Sequence, residues 1–163
     1  EQWALKHQWV SRGFTLSKLR ASKQSMHEWV AALDGELATA ALAHVYLEKL
    51  VLRRVVHKPN RKLMAAVCLV LAAKWNEPEL LPGLLELVEK NYSIPRATIF
   101  RSEWSAYVEL GFDLNMEPHE VYPHFTRLLQ AAERTPHEYL GESNFQDYIA
   151  NILQPHAEDE REV

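Results

Sequence analysis

Cysteine is nearly absent. Cys68 is the single one among 163 residues, which excludes an internal disulfide and suits a reducing, intracellular compartment, nuclear or cytoplasmic. Glycine is scarce too, at five residues, and strand-like alternation is rare, so the expectation shifts to an all-α fold. Basic charge is not in excess. Eighteen Lys and Arg stand against 22 Asp and Glu, a net charge of −4, and an acidic domain of this kind argues against nucleic-acid binding. No run reaches membrane length. The longest apolar stretch, Leu63 to Ala73, would span roughly 16 Å as a helix, too short for a bilayer. No signal peptide precedes it. The chain opens at Glu1 without a methionine, so a piece of a longer protein is expected.

The usual enzyme constellations are missing as well. There is no GxGxxG, no Walker-type loop and no GxSxG. His119 to His124 reads HExxxH, one residue too long for a zinc motif. Five helical residues turn the second ring about 140° from the first, whereas the zinc site needs both on one face. Cys68 lies inside the most apolar helix, where a thiol behaves as a small hydrophobe. The expectation is therefore no catalytic residue, no metal, no cofactor and no small-molecule substrate.

What is present is helical periodicity. Trp3, Leu5, Trp9 and Val10 suit a short N-terminal helix over residues 1–14, packed on the domain. Leu16, Leu19, Met26, Trp29, Val30 and Leu33 predict a helix over 16–33 with Ser17 as cap. Lys18, Arg20 and Lys23 read as its solvated face. Residues 36–56 predict a long helix ending at Arg53 and Arg54, with His44 on its apolar stripe. Leu63 to Ala73 form a central helix at about 60–75, capped by Asn60 and stopped near Pro78. A helix apolar all round must be surrounded by others. A weaker helix over 79–92 has Pro82 in its first turn. The next runs to about Leu110, with Ser93 as a possible cap, Gly111 as C-cap, and a stripe of Ile99, Phe100, Trp104, Tyr107 and Val108. Phe112 to Leu114 continues extended. Helices are expected after Pro118 and from about Asn144, with an acidic fray at Glu158 to Glu162.

Three stretches resemble the cyclin box. Leu42 to Leu50 is similar to the family's long helix, Leu-Ala-x-x-Tyr-Leu-Asp-Arg-Phe. Ala66 to Glu77 resembles its central helix, with the Cys-Leu-x-Leu-Ala-Ser-Lys-Phe/Tyr-Glu-Glu ending. Glu103 falls nine residues before Phe112-Asp113-Leu114, as the family's glutamate precedes its Phe-x-Leu segment. The resemblance covers about residues 16–130. It implies an all-α, five-helix bundle around the central helix, with flanking terminal helices: an arm at 1–15, a single box at 16–130, and a C-terminal helix with acidic tail at 131–163. The order of motifs, Asn60-Arg61-Lys62-Leu63 above all, looks most like the Cables-type subgroup, which carries one C-terminal box on a longer chain. The docking motif of cell-cycle cyclins, Met-Arg-Ala-Ile-Leu, is not matched.

The resemblance implies a regulatory partner of a cyclin-dependent protein kinase rather than an enzyme. In the family, the lysine ending the central helix and the glutamate of the fifth box helix bind backbone groups flanking the kinase's regulatory helix. Here these are Lys74 and Glu103, with Leu71, Trp75, Tyr107 and Leu114 as apolar neighbours. Read without the family, Lys74 would pair with Glu77 or Glu103, and Trp75 would belong to the core. The competing function is a cyclin-fold scaffold for a non-kinase protein or a transcription-factor peptide. No membrane and no nucleic acid are expected among its partners.

Overall fold

The computed structural model describes residues 15–153. The expected N-terminal helix and the acidic tail lie outside them. Within them the chain is all-α, in seven helices with no strand. α1 is Leu16–Ala32, α2 Leu37–Leu52 and α3 Arg61–Asn76; a 3-10 turn at Pro78–Leu80 leads to α4, Leu81–Tyr92. α5 is Arg96–Glu109, α6 Pro118–Ala131 and α7 Pro136–Leu153.

α3 is the rod of the bundle. Every residue from Met64 to Ala73 is buried, and α1, α2, α4 and α5 surround it. Its small side chains (Ala65, Ala66, Cys68, Ala72, Ala73) let those neighbours approach closely, while Leu69 and Val70 fill the space between. α2 is nearly as buried, because α3 covers one side and α6 the other. α7 packs on α6. Tyr139 of α7 reaches back to accept the Leu37 amide at 2.9 Å, at the start of α2.

Helix ends depart from the sequence reading in several places, each for a local reason. Thr15, not Ser17, caps α1; Thr15 is extended and its hydroxyl accepts from the Lys18 amide at 3.4 Å. α2 stops at Leu52 rather than near residue 56. Arg54 turns left-handed (φ 63°), and the Val55 amide bonds back to the Leu50 carbonyl at 3.0 Å, closing a Schellman motif. Asn60 precedes α3 without capping it. Its side chain accepts from the His57 amide at 2.6 Å and donates to the Val55 carbonyl at 2.9 Å, tying the loop. Ser93, at φ 55°, ends α4 instead of starting α5, whose cap position is Pro95. α7 begins eight residues before the expected Asn144, at Pro136. Thr135 and Glu138 bond each other's backbone amides there, at 3.1 and 3.3 Å, a capping box. Gly141, at φ 70°, then kinks the helix.

Candidate partner-binding face

α3 emerges from the core at its last turn, and Lys74 is the first side chain out. A cation there suits the negative end of the helix dipole. Its Nζ meets the Glu103 carboxylate at 2.5 Å and lies 5.3 Å from the centre of the Phe100 ring. Glu103 sits on the inner edge of α5, between buried Ile99 and Ala106. Its side chain is 17% exposed, against 39% for Lys74. Glu77 does not join them. It turns inward, accepting the Glu36 amide at 3.0 Å and the Thr39 hydroxyl, so the end of α3 is fastened to the start of α2.

α5 carries two apolar arcs, and the larger one faces water. Ile99, Ala106 and Leu110 are buried against the bundle. Phe100 and Val108 are exposed, and Trp104 keeps 66% of its surface in solvent. The stripe of Ile99, Phe100, Trp104, Tyr107 and Val108 is thus mostly the outer face of α5, with Ile99 turned to the bundle. The turn after α5 adds another ring. Gly111 (φ 82°) lets the Phe112 amide bond back to the Tyr107 carbonyl at 3.0 Å. Phe112, also left-handed rather than extended, then lies 5.5 Å from the Tyr107 ring and 6.0 Å from Trp104. Tyr46 of α2 anchors the segment beyond, donating its hydroxyl to the Leu114 carbonyl at 2.6 Å. Burial raises the pKa of that hydroxyl well above its ordinary value.

Together Leu71, Lys74, Glu103, Tyr107 and Leu114 line an open groove of about 380 Å³, joined by Phe100 and Trp104. Five of the six residues expected at the site therefore converge. Trp75 does not line the groove, though it is 54% exposed and not part of the core. Phe100, Trp104 and Phe112 were missed as site residues. Their signal was a second apolar arc on one helix, Phe100, Trp104 and Val108 at four-residue steps, opposite Ile99 and Ala106.

Another cluster of titratable groups lies between α1, α2 and α6. Lys23, expected on a solvated face, ion-pairs with Glu48 instead, and His124 approaches the same carboxylate at 3.2 Å. His44 is in the core, and its Nε2–H donates to the Lys23 carbonyl at 2.9 Å. Burial, with the Lys23 charge beside it, lowers the His44 pKa to about 3. Burial alone would raise Glu48; the hydrogen bonds from His124 and Lys23 outweigh it and hold that carboxyl at about 2. Among the described residues, no group of three or more His, Cys, Asp or Glu is placed to hold a metal ion. Cys68 is fully buried, which pushes its thiol pKa up. No described helix is long and apolar enough to cross a membrane.

Comparison with known proteins agrees with this architecture. The chain is 38% identical over 122 residues to mouse CDK5 and ABL1 enzyme substrate 1, covering 72% of this chain and 22% of that protein. Its human counterpart is 37% identical over 122 residues, covering 72% of this chain and 19% of the relative. Human CDK5 and ABL1 enzyme substrate 2 is 36% identical over 119 residues, covering 71% and 25%. The chain thus spans between a fifth and a quarter of the length of these curated relatives. No solved structure gives a significant match. Residues 13–115, which hold α1 to α5 and the groove beside Lys74, match the model for the cyclin N-terminal domain; the chain belongs to that family, and the bundle around α3 is its cyclin box.

Proposed function

We propose that this domain is a non-catalytic regulatory module that binds a cyclin-dependent protein kinase through the face containing Lys74 and Glu103. The observation that carries the reading is the ring of exposed aromatics around that ion pair. Phe100, Trp104 and Phe112 stand in water beside a groove whose only ionic groups, among the described residues, are Lys74 and Glu103. Large apolar side chains surrounding a few polar groups are the composition of an interface centre. The pair is at the surface and partly exposed, so its net contribution to the free domain is about 1 kcal/mol at most. Exchanging each partner for a carbonyl or amide of another chain therefore forfeits little. The relatives' names join them to CDK5 and ABL1, which supports a kinase as the partner here. Binding one arrangement of the kinase more tightly than another would shift its population; binding both equally would tether it only.

Calorimetric titration of the domain into purified cyclin-dependent kinases, CDK5 among them, tests this. Saturable binding to one kinase is expected. Lys74→Ala and Glu103→Ala should each weaken it by about 1–3 kcal/mol while circular dichroism stays helical. A folded domain that binds no kinase would reject the reading in favour of a scaffold for another protein.

A further inference from the structure

A second groove, about 770 Å³, opens between α1, α2 and α6 and shares no residue with the face around Lys74. Leu16, Leu19, Leu52 and Leu128 supply apolar lining, and Leu52 is 48% exposed there. Around them the charge is positive. Among the described residues, Arg20, Lys23 and Arg127 line the groove against a single carboxylate, Glu48, and that carboxylate is already taken by Lys23 and His124. Arg20 and Arg127 are exposed, and neither forms an ion pair among the described residues. The field of Arg127 is felt across the groove: after burial, it further lowers the pKa of Lys23. In a chain of net charge −4, this cationic concentration runs against the average.

Exposed leucine beside unpaired guanidinium groups selects an anionic, amphipathic occupant. We propose that this groove docks an acidic peptide segment of a partner protein. Leucine-type side chains would lie on Leu16, Leu19, Leu52 and Leu128, and carboxylates on Arg20 and Arg127. Guanidinium favours planar carboxylates, and apolar contact beneath them adds area that a free anion lacks. Charge complementarity also ranks the other occupants. Residues 1–14 carry Lys6, His7 and Arg12 against Glu1, so they would add like charge to the groove. The acidic run Glu158 to Glu162 has the right sign but no large apolar side chain.

Fluorescence anisotropy with a labelled Glu/Leu amphipathic peptide, beside a Lys/Leu peptide of the same pattern, tests the proposal on the whole chain. The acidic peptide is expected to bind saturably and more weakly at high salt. Arg20→Glu with Arg127→Glu should reduce its affinity about tenfold or more, with an unchanged helical spectrum. Trp104→Ala should leave it unaltered, which separates this groove from the kinase-directed face. Equal binding of the Lys/Leu peptide, no binding of the acidic one, or indifference to the double variant would overturn the proposal. So would a roughly tenfold gain in affinity from Glu158→Lys with Glu160→Lys, which would give the groove to the chain's own tail. A dimer in sedimentation that Arg127→Glu dissolves would give it to a second copy, and would equally overturn it.

Discussion

Trp104 separates stability from recognition at the scale of one residue. Two-thirds of its surface faces water, and its ring neighbours, Tyr107 and Phe112, belong to the same outer patch. Removing it opens no cavity in the core. Trp104→Ala should therefore leave unfolding free energy within about 0.5 kcal/mol of wild type, the range of ordinary surface changes. Kinase affinity should fall by about 2 kcal/mol or more if this ring anchors the interface. Thermal denaturation and calorimetry on the same preparation check both halves. A large drop in melting temperature with unchanged affinity would make Trp104 structural. Lys74 and Glu103 were legible because the family resemblance points to them; charge and spacing alone would have made them an ordinary surface pair. The rings around them were harder to read. Phe100 and Ile99 are sequence neighbours on one amphipathic pattern, and periodicity does not tell which of two apolar arcs faces the core.

At the scale of elements, the helices themselves were visible in the sequence, since each has a stripe at three- and four-residue steps and a proline or glycine near an end. Their boundaries were less so. Arg54, Ser93 and Glu133 all adopt left-handed φ, and nothing in their side chains announces it; each ends a helix whose last carbonyls take backbone bonds from these residues or the ones that follow them. Thr135-Pro136-His137-Glu138 does carry a signal, a capping box with proline at the first helical position. Gly111 is the boundary that reads best. A Cβ there would meet nothing within 4 Å, so the cost of Gly111→Ala is conformational alone, about 1 kcal/mol or somewhat more. Because this turn delivers Phe112 to Trp104 and Tyr107, the same variant should also weaken kinase binding. Urea denaturation measures the first effect and titration the second; a fully stable variant would contradict the strained turn. The junction of α3 with α2 is a different case. Buried Glu77 accepts the Glu36 amide and the Thr39 hydroxyl. Glu77→Ala leaves both donors without their acceptor, so a loss of about 1–3 kcal/mol is expected, read as a lower denaturation midpoint. A midpoint equal to wild type would show that this fastening contributes nothing.

For the molecule as a whole, the cluster between α1, α2 and α6 sets how stability responds to acid. His44 titrates near 6.5 in an unfolded chain but at about 3 in the fold, where burial and the facing Lys23 and His124 outweigh the bond to the Lys23 carbonyl and the Glu48 carboxylate, which both favour the proton. Above pH 6.5 both states hold His44 neutral, so nothing is lost. Below it, the unfolded chain takes up a proton that the folded chain refuses, and stability falls by about 1.4 kcal/mol per pH unit. Glu48 acts in the same direction but later. Its folded pKa of about 2 lies under the ordinary 4.5, so the stability from its pairing is complete above 4.5 and disappears between 4.5 and 2. Two windows follow, the first belonging to the histidine. Denaturant titrations between pH 7.5 and 5 should show wild type weakening steadily below 6.5, by about 1.4 kcal/mol per unit. His44→Gln, which keeps a donor near the Lys23 carbonyl but cannot take up a proton, should start less stable and flatten that slope. A wild-type curve already flat from pH 6.5 to 5 would mean that the ring accepts its proton inside the fold. The ring would then have to turn from its buried position toward the groove, giving up its bond to the Lys23 carbonyl.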